Sequence, residues 1–170
     1  VLDTGLFFRY HNSTKSHMDK LERKIPPVAV FIILIILINR VTHALPVFTV
    51  DLPLHSLLLA VCFVLSGVIG VSGVYQFHRA NTTVHPVKVE DASTVVQTGI
   101  FAYTRNPMYL ALFILLFGFA YWHQNLLALV FSFLFIPYMN RFQILPEERA
   151  LEKLFGNEYI VSKHKARRRL

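Results

Sequence analysis

The residues best suited to chemistry lie in a short polar interruption between two apolar segments, at positions 99–109, which read G-I-F-A-Y-T-R-N-P-M-Y. Asn106 and Pro107 indicate a helix start, because asparagine caps a helix with its side-chain oxygen and proline fits the first helical position. The N–H groups of that first turn lie at the positive end of the helix dipole, where they bind a carboxylate or a phosphate. Arg105 adds a bidentate donor beside them. The stretch therefore predicts an anion site, and the alternative is an ordinary capped membrane helix.

A second segment with charged side chains, P-E-E-R at positions 146–149, predicts another helix start. The acids lie in the first turn of this helix, and Gly156 is its predicted end. Carboxylates and aromatic faces both attract a cationic centre. The first segment contains the aromatic residues Phe101, Tyr103 and Tyr109, and Phe142 lies shortly before the second. With the helix end at Asn106, they suit a ligand that carries both an anionic group and a cationic centre. The alternatives are first-turn acids that stabilise a helix without any ligand, and Tyr109 as an aromatic belt residue.

The composition places both segments at a membrane. Hydrophobic residues make up 54% of the chain and charged residues 16%, and the mean hydropathy is +0.48, which is typical of an integral membrane protein. The net charge of +7 does not indicate nucleic-acid binding, because the basic residues flank the apolar runs. The eight histidines and the single cysteine, Cys62, have no metal-ligand spacing, so no metal site is predicted.

Four apolar runs, at positions 28–48, 54–77, 107–122 and 126–139, predict about four transmembrane helices in an all-α integral membrane protein. The polar turn 123–125 makes the last two runs a helical hairpin, in which Pro137 predicts a kink. Small residues in the second run predict a face on which another helix packs closely. They are Ser66, Gly67, Gly70 and Gly73. Residues 1–27 are predicted to be an N-terminal cytosolic extension, and residues 28–170 one membrane domain.

The distribution of basic residues predicts the topology. Five lie before the first run, three in the polar loop 78–106 and eight from position 140 onward. The linker between the first two runs has only Arg40, and the turn 123–125 has none. The positive-inside rule therefore places both termini and the 78–106 loop in the cytoplasm. The loop and the C-terminal segment then lie on the same face and are able to meet.

Three motifs in this order resemble the isoprenylcysteine carboxyl methyltransferase and phospholipid methyltransferase superfamily. They are T-T-V-x-P at 82–86, G-I-F-x-Y-x-R-N-P-M-Y at 99–109 and P-E-E-R-x-L-x-x-x-F-G-x-x-Y at 146–159. The R-N-P-M-Y form and the short chain are similar to small prokaryotic members, which implies a prokaryotic inner membrane. The resemblance, over roughly residues 24–165, implies an enzyme that uses S-adenosylmethionine. Its catalytic part is about 78–165, and the 78–106 loop and the C-terminal helix form a cytosolic cofactor pocket.

The resemblance also implies the site residues. The cofactor-binding residues are Ser93, Thr94, Val95, Val96, Phe101, Tyr103, Arg105, Asn106, Pro107, Met108, Tyr109 and Glu147. The cofactor's methionine carboxylate is expected at the Asn106-Pro107 helix end, and its amino group or a ribose hydroxyl at Glu147. Asn106 stands where eukaryotic members have histidine. The family's substrate-orienting arginine aligns with Gln143, but Arg141 is nearby, and the choice between them stays open.

Methyl transfer from a sulfonium is an in-line displacement, so positioning and the exclusion of water dominate catalysis. A carboxylate acceptor needs only an orienting cation such as Arg141, whereas an amine acceptor must lose a proton, for which Glu148 is the candidate base. The predicted acceptor is a lipophilic molecule that enters from the bilayer, with an isoprenylcysteine-type carboxylate favoured over an amine. Membrane lipids are the other expected partners. The alternatives are a sterol-reductase-like, nicotinamide-dependent membrane enzyme and a non-enzymatic lipid-binding membrane protein.

Overall fold

The computed structural model of the chain describes residues 24–80 and 98–165. These residues are helical throughout, apart from short connections and one isolated β-bridge between Thr49 and Asn125. The helices are α1 Pro27–Ala44, α2 His55–Arg79, α3 Pro107–Trp122, α4 Leu126–Phe133, α5 Phe135–Met139, a π-helical turn Asn140–Ile144, α6 Leu145–Phe155 and α7 Asn157–Lys165, with 3₁₀ turns at Pro46–Phe48 and Gly99–Ala102. The prediction of an all-α protein is confirmed.

Within residues 24–80 and 98–165, three stretches are long and apolar enough to cross a membrane: Pro27–Ala44, His55–Arg79 and Leu126–Phe155. The fourth apolar helix, α3, has 16 residues, about 24 Å at 1.5 Å per residue, which is short of the roughly 30 Å of bilayer hydrocarbon. Protein covers much of α3, because it packs on α1, α2, α4 and α5. The four predicted runs thus correspond to α1, α2, α3 and the composite helix from α4 to α6.

The small-residue face of α2 is confirmed at two of its glycines. A Cβ built on Gly70 would lie 3.8 Å from the Ala111 Cβ, and one on Gly73 would lie 3.4 Å from the Pro107 ring. The Ser66 hydroxyl also donates to the Ala111 carbonyl at 2.8 Å. Gly67 does not belong to this face, because no atom lies within 4 Å of a Cβ built there. The face seats α3 against α2 and fixes where α3 begins.

Gly118 on α3 marks the closest approach of α2 and α3. A Cβ there would lie 2.5 Å from the Cys62 Cβ and 3.1 Å from its Sγ. We expect Gly118→Ala to force the helices apart and to lower the free energy of unfolding by roughly 1–3 kcal/mol. Unfolding in detergent measures this, with Gly67→Ala as the control that adds a methyl into open space on α2. Equal stability of the two variants would contradict the packing described.

The turn between α3 and α4 is tied to the linker between α1 and α2. Asn125 is fully buried, and its Oδ1 accepts from the N–H groups of Leu127 at 3.0 Å and Ala128 at 3.3 Å. Its Nδ2 donates to the Leu45 carbonyl at 3.1 Å. Asn125 therefore caps α4 and anchors the linker, and the predicted hairpin is confirmed. This end of the bundle lies opposite the start of α3.

The predicted helix start at Pro146, with acids in the first turn, is confirmed to within one residue, because α6 begins at Leu145 and has Pro146, Glu147 and Glu148 in its first turn. However, α6 continues directly from the helix before it. Leu126–Phe155 forms one helical stretch. Its α-helical geometry is interrupted at Leu134, three residues before Pro137, and by a π-helical turn at Asn140–Ile144. Proline lacks an N–H and clashes with the carbonyl four residues earlier. The π-helical turn, in which the Leu145 N–H bonds the Asn140 carbonyl, changes the hydrogen-bond register just before Pro146. The two glutamates therefore lie on the continuation of a membrane-spanning helix. As predicted, α6 ends before Gly156.

Candidate active site

The segment before α3 is fixed to the C-terminal end of α2. Gly99 has φ +61°, and a Cβ there would lie 2.2 Å from the Gln76 side chain, so this turn requires glycine. The Thr98 hydroxyl donates to Gln76 Oε1 at 3.1 Å. The buried Phe101 ring packs edge-on against Phe77, with 5.0 Å between the centroids. Phe101 thus supports the segment that carries Arg105 and Asn106.

The start of α3 lies at Pro107, as predicted, but the predicted side-chain cap from Asn106 is wrong. The Asn106 side chain makes no capping bond. Instead, the backbone N–H of Asn106 donates to Thr104 Oγ1 at 3.2 Å. The buried Thr104 hydroxyl closes the turn, and the Asn106 side chain does not reach the N–H groups of the first helical turn. The Asn106 side-chain oxygen therefore does not cap the positive end of α3, contrary to the prediction.

Glu147 and Glu148 each bond one residue of the 99–109 motif. The Tyr109 hydroxyl donates to Glu147 Oε2 at 3.0 Å. Arg105 Nη1 donates to Glu148 Oε1 at 2.9 Å, and the Glu148 side chain is only 6% exposed. The motif and the C-terminal segment therefore meet through two charge-assisted hydrogen bonds, the stronger class in proteins. This juxtaposition is the one that the sequence predicts.

Helix α7 adds two residues that the sequence did not single out as site residues. Lys163 Nζ lies 3.6 Å from Glu148 Oε2 and also bonds Glu152. Tyr159 is 5% exposed, and burial together with the Glu148 carboxylate raises the pKa of its hydroxyl, which the hydrogen-bonded Arg105 partly offsets. In the sequence, Tyr159 was identified only as the last residue of the third motif. Lys163 gave no local signal, because its partners come from another helix.

The other predicted residues occupy different places. Met108 and Pro107 pack against Gly73 on α2, and Tyr103 is 69% exposed. Ser93, Thr94, Val95 and Val96 lie outside the described residues.

The two candidates for the acceptor-orienting residue differ in their surroundings. Arg141 is half-buried in the π-helical turn, with its guanidinium carbon 5.5 Å from the centre of the Phe142 ring. Gln143 is 1% exposed, and its Nε2 donates to the Ile25 carbonyl at 2.6 Å. Gln143 therefore joins the π-helical turn to the start of α1, which leaves Arg141 as the better candidate for contact with an acceptor.

The donor set at the start of α3 fits an anionic group. Arg105 Nε and Asn106 Nδ2 are both buried and have no hydrogen-bond partner among the described residues. A buried donor without a partner costs about 1–3 kcal/mol, so native proteins rarely keep two of them side by side. Both residues directly precede the start of α3, where a bound carboxylate would be an acceptor for such donors. The residues present therefore fit the methionine end of S-adenosylmethionine.

A family model for phospholipid methyltransferases matches residues 55–158. The chain belongs to the phospholipid methyltransferase family. An uncharacterized protein of Haemophilus influenzae is 44% identical over 61 residues, which are 36% of this chain and 97% of that protein. No solved structure matches the chain. The region matched by the phospholipid methyltransferase model includes Arg105, Tyr109, Glu147 and Glu148, so the two bonds between the 99–109 motif and the paired glutamates lie inside it. The protein is thus a membrane methyltransferase of a family that acts on lipids.

Proposed function

We propose that the protein transfers a methyl group from S-adenosylmethionine to a lipid acceptor. The observation that carries the proposal is the meeting of the α3 start with the paired glutamates, beside the two buried, unpartnered donors Arg105 Nε and Asn106 Nδ2. These groups offer an anion site and a carboxylate within one cluster. A cofactor that carries both a carboxylate and an ammonium group matches both halves of it.

In this proposal the protein's residues bind, orient and shield. Arg105, Asn106 and the N–H groups at the start of α3 hold the cofactor's carboxylate, as helix N-termini hold anions. Glu147 holds the amino group or a ribose hydroxyl, and the Tyr109 hydroxyl fixes the orientation of that carboxylate. The bound cofactor supplies an activated methyl group on a sulfonium. Phe101, Tyr103, Met108 and the 93–96 segment are proposed as further contacts.

We propose a carboxylate acceptor of the isoprenylcysteine type, or a related lipid, that enters from the bilayer. Glu147 already accepts from Tyr109, and the two oxygens of Glu148 face Arg105 and Lys163. An acceptor that arrives deprotonated needs no base from this pair, and Arg141 orients it. The family match favours a second candidate, an aminophospholipid. That acceptor must lose a proton, for which Glu148 is the proposed base.

The membrane topology follows from the same proposal. We place both termini and the active site on the cytoplasmic face of a prokaryotic inner membrane. The reason is that the basic residues concentrate before the first apolar run, in the 78–106 loop and after position 140. The anchored turn at Asn125 then lies on the opposite face. Membrane lipids surround the exposed apolar sides of α1 and α2.

Labelled methyl transfer to two acceptors tests the acceptor class. With a prenylcysteine analogue, we expect methylation that falls by about 10²-fold in Arg141→Ala, since a preorganised charge at the reacting group is typically worth this much, and that Arg141→Lys partly restores. Arg40→Ala, at an exposed arginine of α1, is the matched control and should be unaffected. Label that appears only in phosphatidylethanolamine, and is lost in Glu148→Gln, would instead establish the amine acceptor.

A further inference from the structure

We propose that Tyr159 and Lys163 of α7 are positioning residues, which hold Arg105 and Glu148 in the arrangement that binds the cofactor. This inference rests on the proposed function. It assigns α7 the task of completing a site whose other parts come from α3 and α6. The two residues act through Arg105 and Glu148 and do not need to touch the reacting atoms.

Glu148 lies at the junction between the motif and α7. Its Oε1 accepts from Arg105 Nη1 at 2.9 Å, and its Oε2 faces Lys163 Nζ at 3.6 Å. A carboxylate that is 6% exposed needs compensating charge, because burial removes most of its hydration. The two cations approach different oxygens, so they fix the plane of the carboxylate as well as its charge. Without Lys163, the Glu148 Oε2 oxygen would lose the cation that faces it.

Tyr159 fixes the other member of the pair. Its hydroxyl is buried, and the pKa of that hydroxyl, which burial and the Glu148 carboxylate raise, is partly lowered by the charge and hydrogen bonding of the Arg105 guanidinium. The Nη1 of the same guanidinium donates to Glu148 at 2.9 Å. A planar guanidinium held at two points has little freedom to rotate. The buried Nε of this guanidinium has no hydrogen-bond partner among the described residues. The position of this donor is therefore set by Glu148 of α6 together with Tyr159 of α7.

The backbone between α6 and α7 places these residues. Gly156 has φ +52° and ψ −124°, a conformation that other residues rarely adopt, and it ends α6. Lys163 pairs with Glu152 as well as with Glu148. Helix α7 therefore folds back beside α6, next to these two carboxylates. The polar contacts of Tyr159 and Lys163 join α7 to the site residues. Loss of either contact should loosen the site without removing any group that binds the cofactor directly.

Calorimetric titration of the full-length protein in detergent with S-adenosylmethionine tests the inference. We expect Lys163→Ala and Tyr159→Phe each to weaken binding about 10-fold, near the value of one hydrogen bond to a charged group. Lys163→Arg keeps the charge and should restore binding to within about threefold. The rate of methyl transfer at saturating cofactor should stay near the wild-type value, because only binding is affected. Lys153→Ala, at an exposed lysine of α6, is the matched control.

The outcomes separate this inference from the proposed function. Thermal unfolding without cofactor identifies any variant that has lost its fold, and the conservative Tyr159→Phe and Lys163→Arg variants keep the test decisive. Wild-type affinity in folded Lys163→Ala and Tyr159→Phe would overturn the positioning role and leave the methyltransferase proposal intact. Failure of the wild-type protein to bind S-adenosylmethionine would overturn both.

Discussion

Glu147→Gln is expected to weaken the binding of S-adenosylmethionine by roughly 10²-fold while the protein stays folded. The substitution removes the negative charge that is proposed to hold the cofactor's ammonium group, and hydrogen bonds to charged groups are worth about 1.5–3 kcal/mol. The amide oxygen of glutamine still accepts from the Tyr109 hydroxyl, so the internal bond at 3.0 Å is preserved. Calorimetry measures the affinity, and thermal unfolding in detergent confirms the fold.

Two further variants show whether the charge at position 147 itself matters. Asp51→Asn removes an exposed carboxylate from the linker between α1 and α2, at the opposite end of the bundle, and should leave the affinity unchanged. Tyr109→Phe removes only the hydroxyl that orients Glu147 and should weaken binding several-fold, about the value of one ordinary hydrogen bond. Unchanged affinity in Glu147→Gln would show that this carboxylate does not hold the cofactor.

Arg105→Ala is expected to have the largest effect on stability as well as on binding. It removes a cation from the buried Glu148, and breaking a buried ion pair in this way costs roughly 3–5 kcal/mol. The lower end, about 3 kcal/mol, is expected because Lys163 still faces the other oxygen. Cofactor binding should be lost as well, since Arg105 Nε is one of the two unpartnered donors. Unfolding and calorimetry in detergent measure the two effects separately.

A double-mutant cycle separates the ion pair from general damage. Arg105→Ala with Glu148→Ala should be less destabilising than Arg105→Ala alone, because no buried charge is left uncompensated. Arg105→Lys keeps the charge but loses the planar fork, so it should keep most of the stability and lose much of the affinity. Arg79→Ala, at an exposed arginine that ends α2, is the control. Additive effects in the cycle would mean that the Arg105–Glu148 contact contributes little.

The parts of the fold that sequence predicts well are those with strong local signals. The start of α3 at Pro107 and its end before the polar turn 123–125 follow from proline chemistry and from the loss of apolar residues. The glycines of α2 were harder, because residues three apart differ by about 300° around a helix, so successive glycines drift by about 60°. Gly73 and Gly70 face α3, whereas Gly67 has rotated away from it.

The parts that sequence predicts poorly depend on partners distant in the chain or on competing local bonds. Pro146 marks a helix start, as predicted, but no local signal shows that the π-helical turn before it joins α6 to the preceding helix. Asn106 is a favourable cap by type, yet the Thr104 hydroxyl takes over the turn. For the candidate site, the meeting of the 99–109 stretch with the two glutamates was expected from topology and resemblance, whereas the individual bonds from Arg105 and Tyr109 were not predicted. The contribution of Lys163 was not predicted either, since it comes from a helix that folds back at Gly156.

The most direct test of the central claim is a calorimetric titration of the full-length wild-type protein in detergent with S-adenosylmethionine, run beside NADPH. The start of α3 and Glu147 are expected to bind S-adenosylmethionine with one-to-one stoichiometry and to give no heat of binding with NADPH. A titration in which NADPH binds and S-adenosylmethionine does not, or in which neither binds, would contradict the assignment of this site to S-adenosylmethionine-dependent methyl transfer.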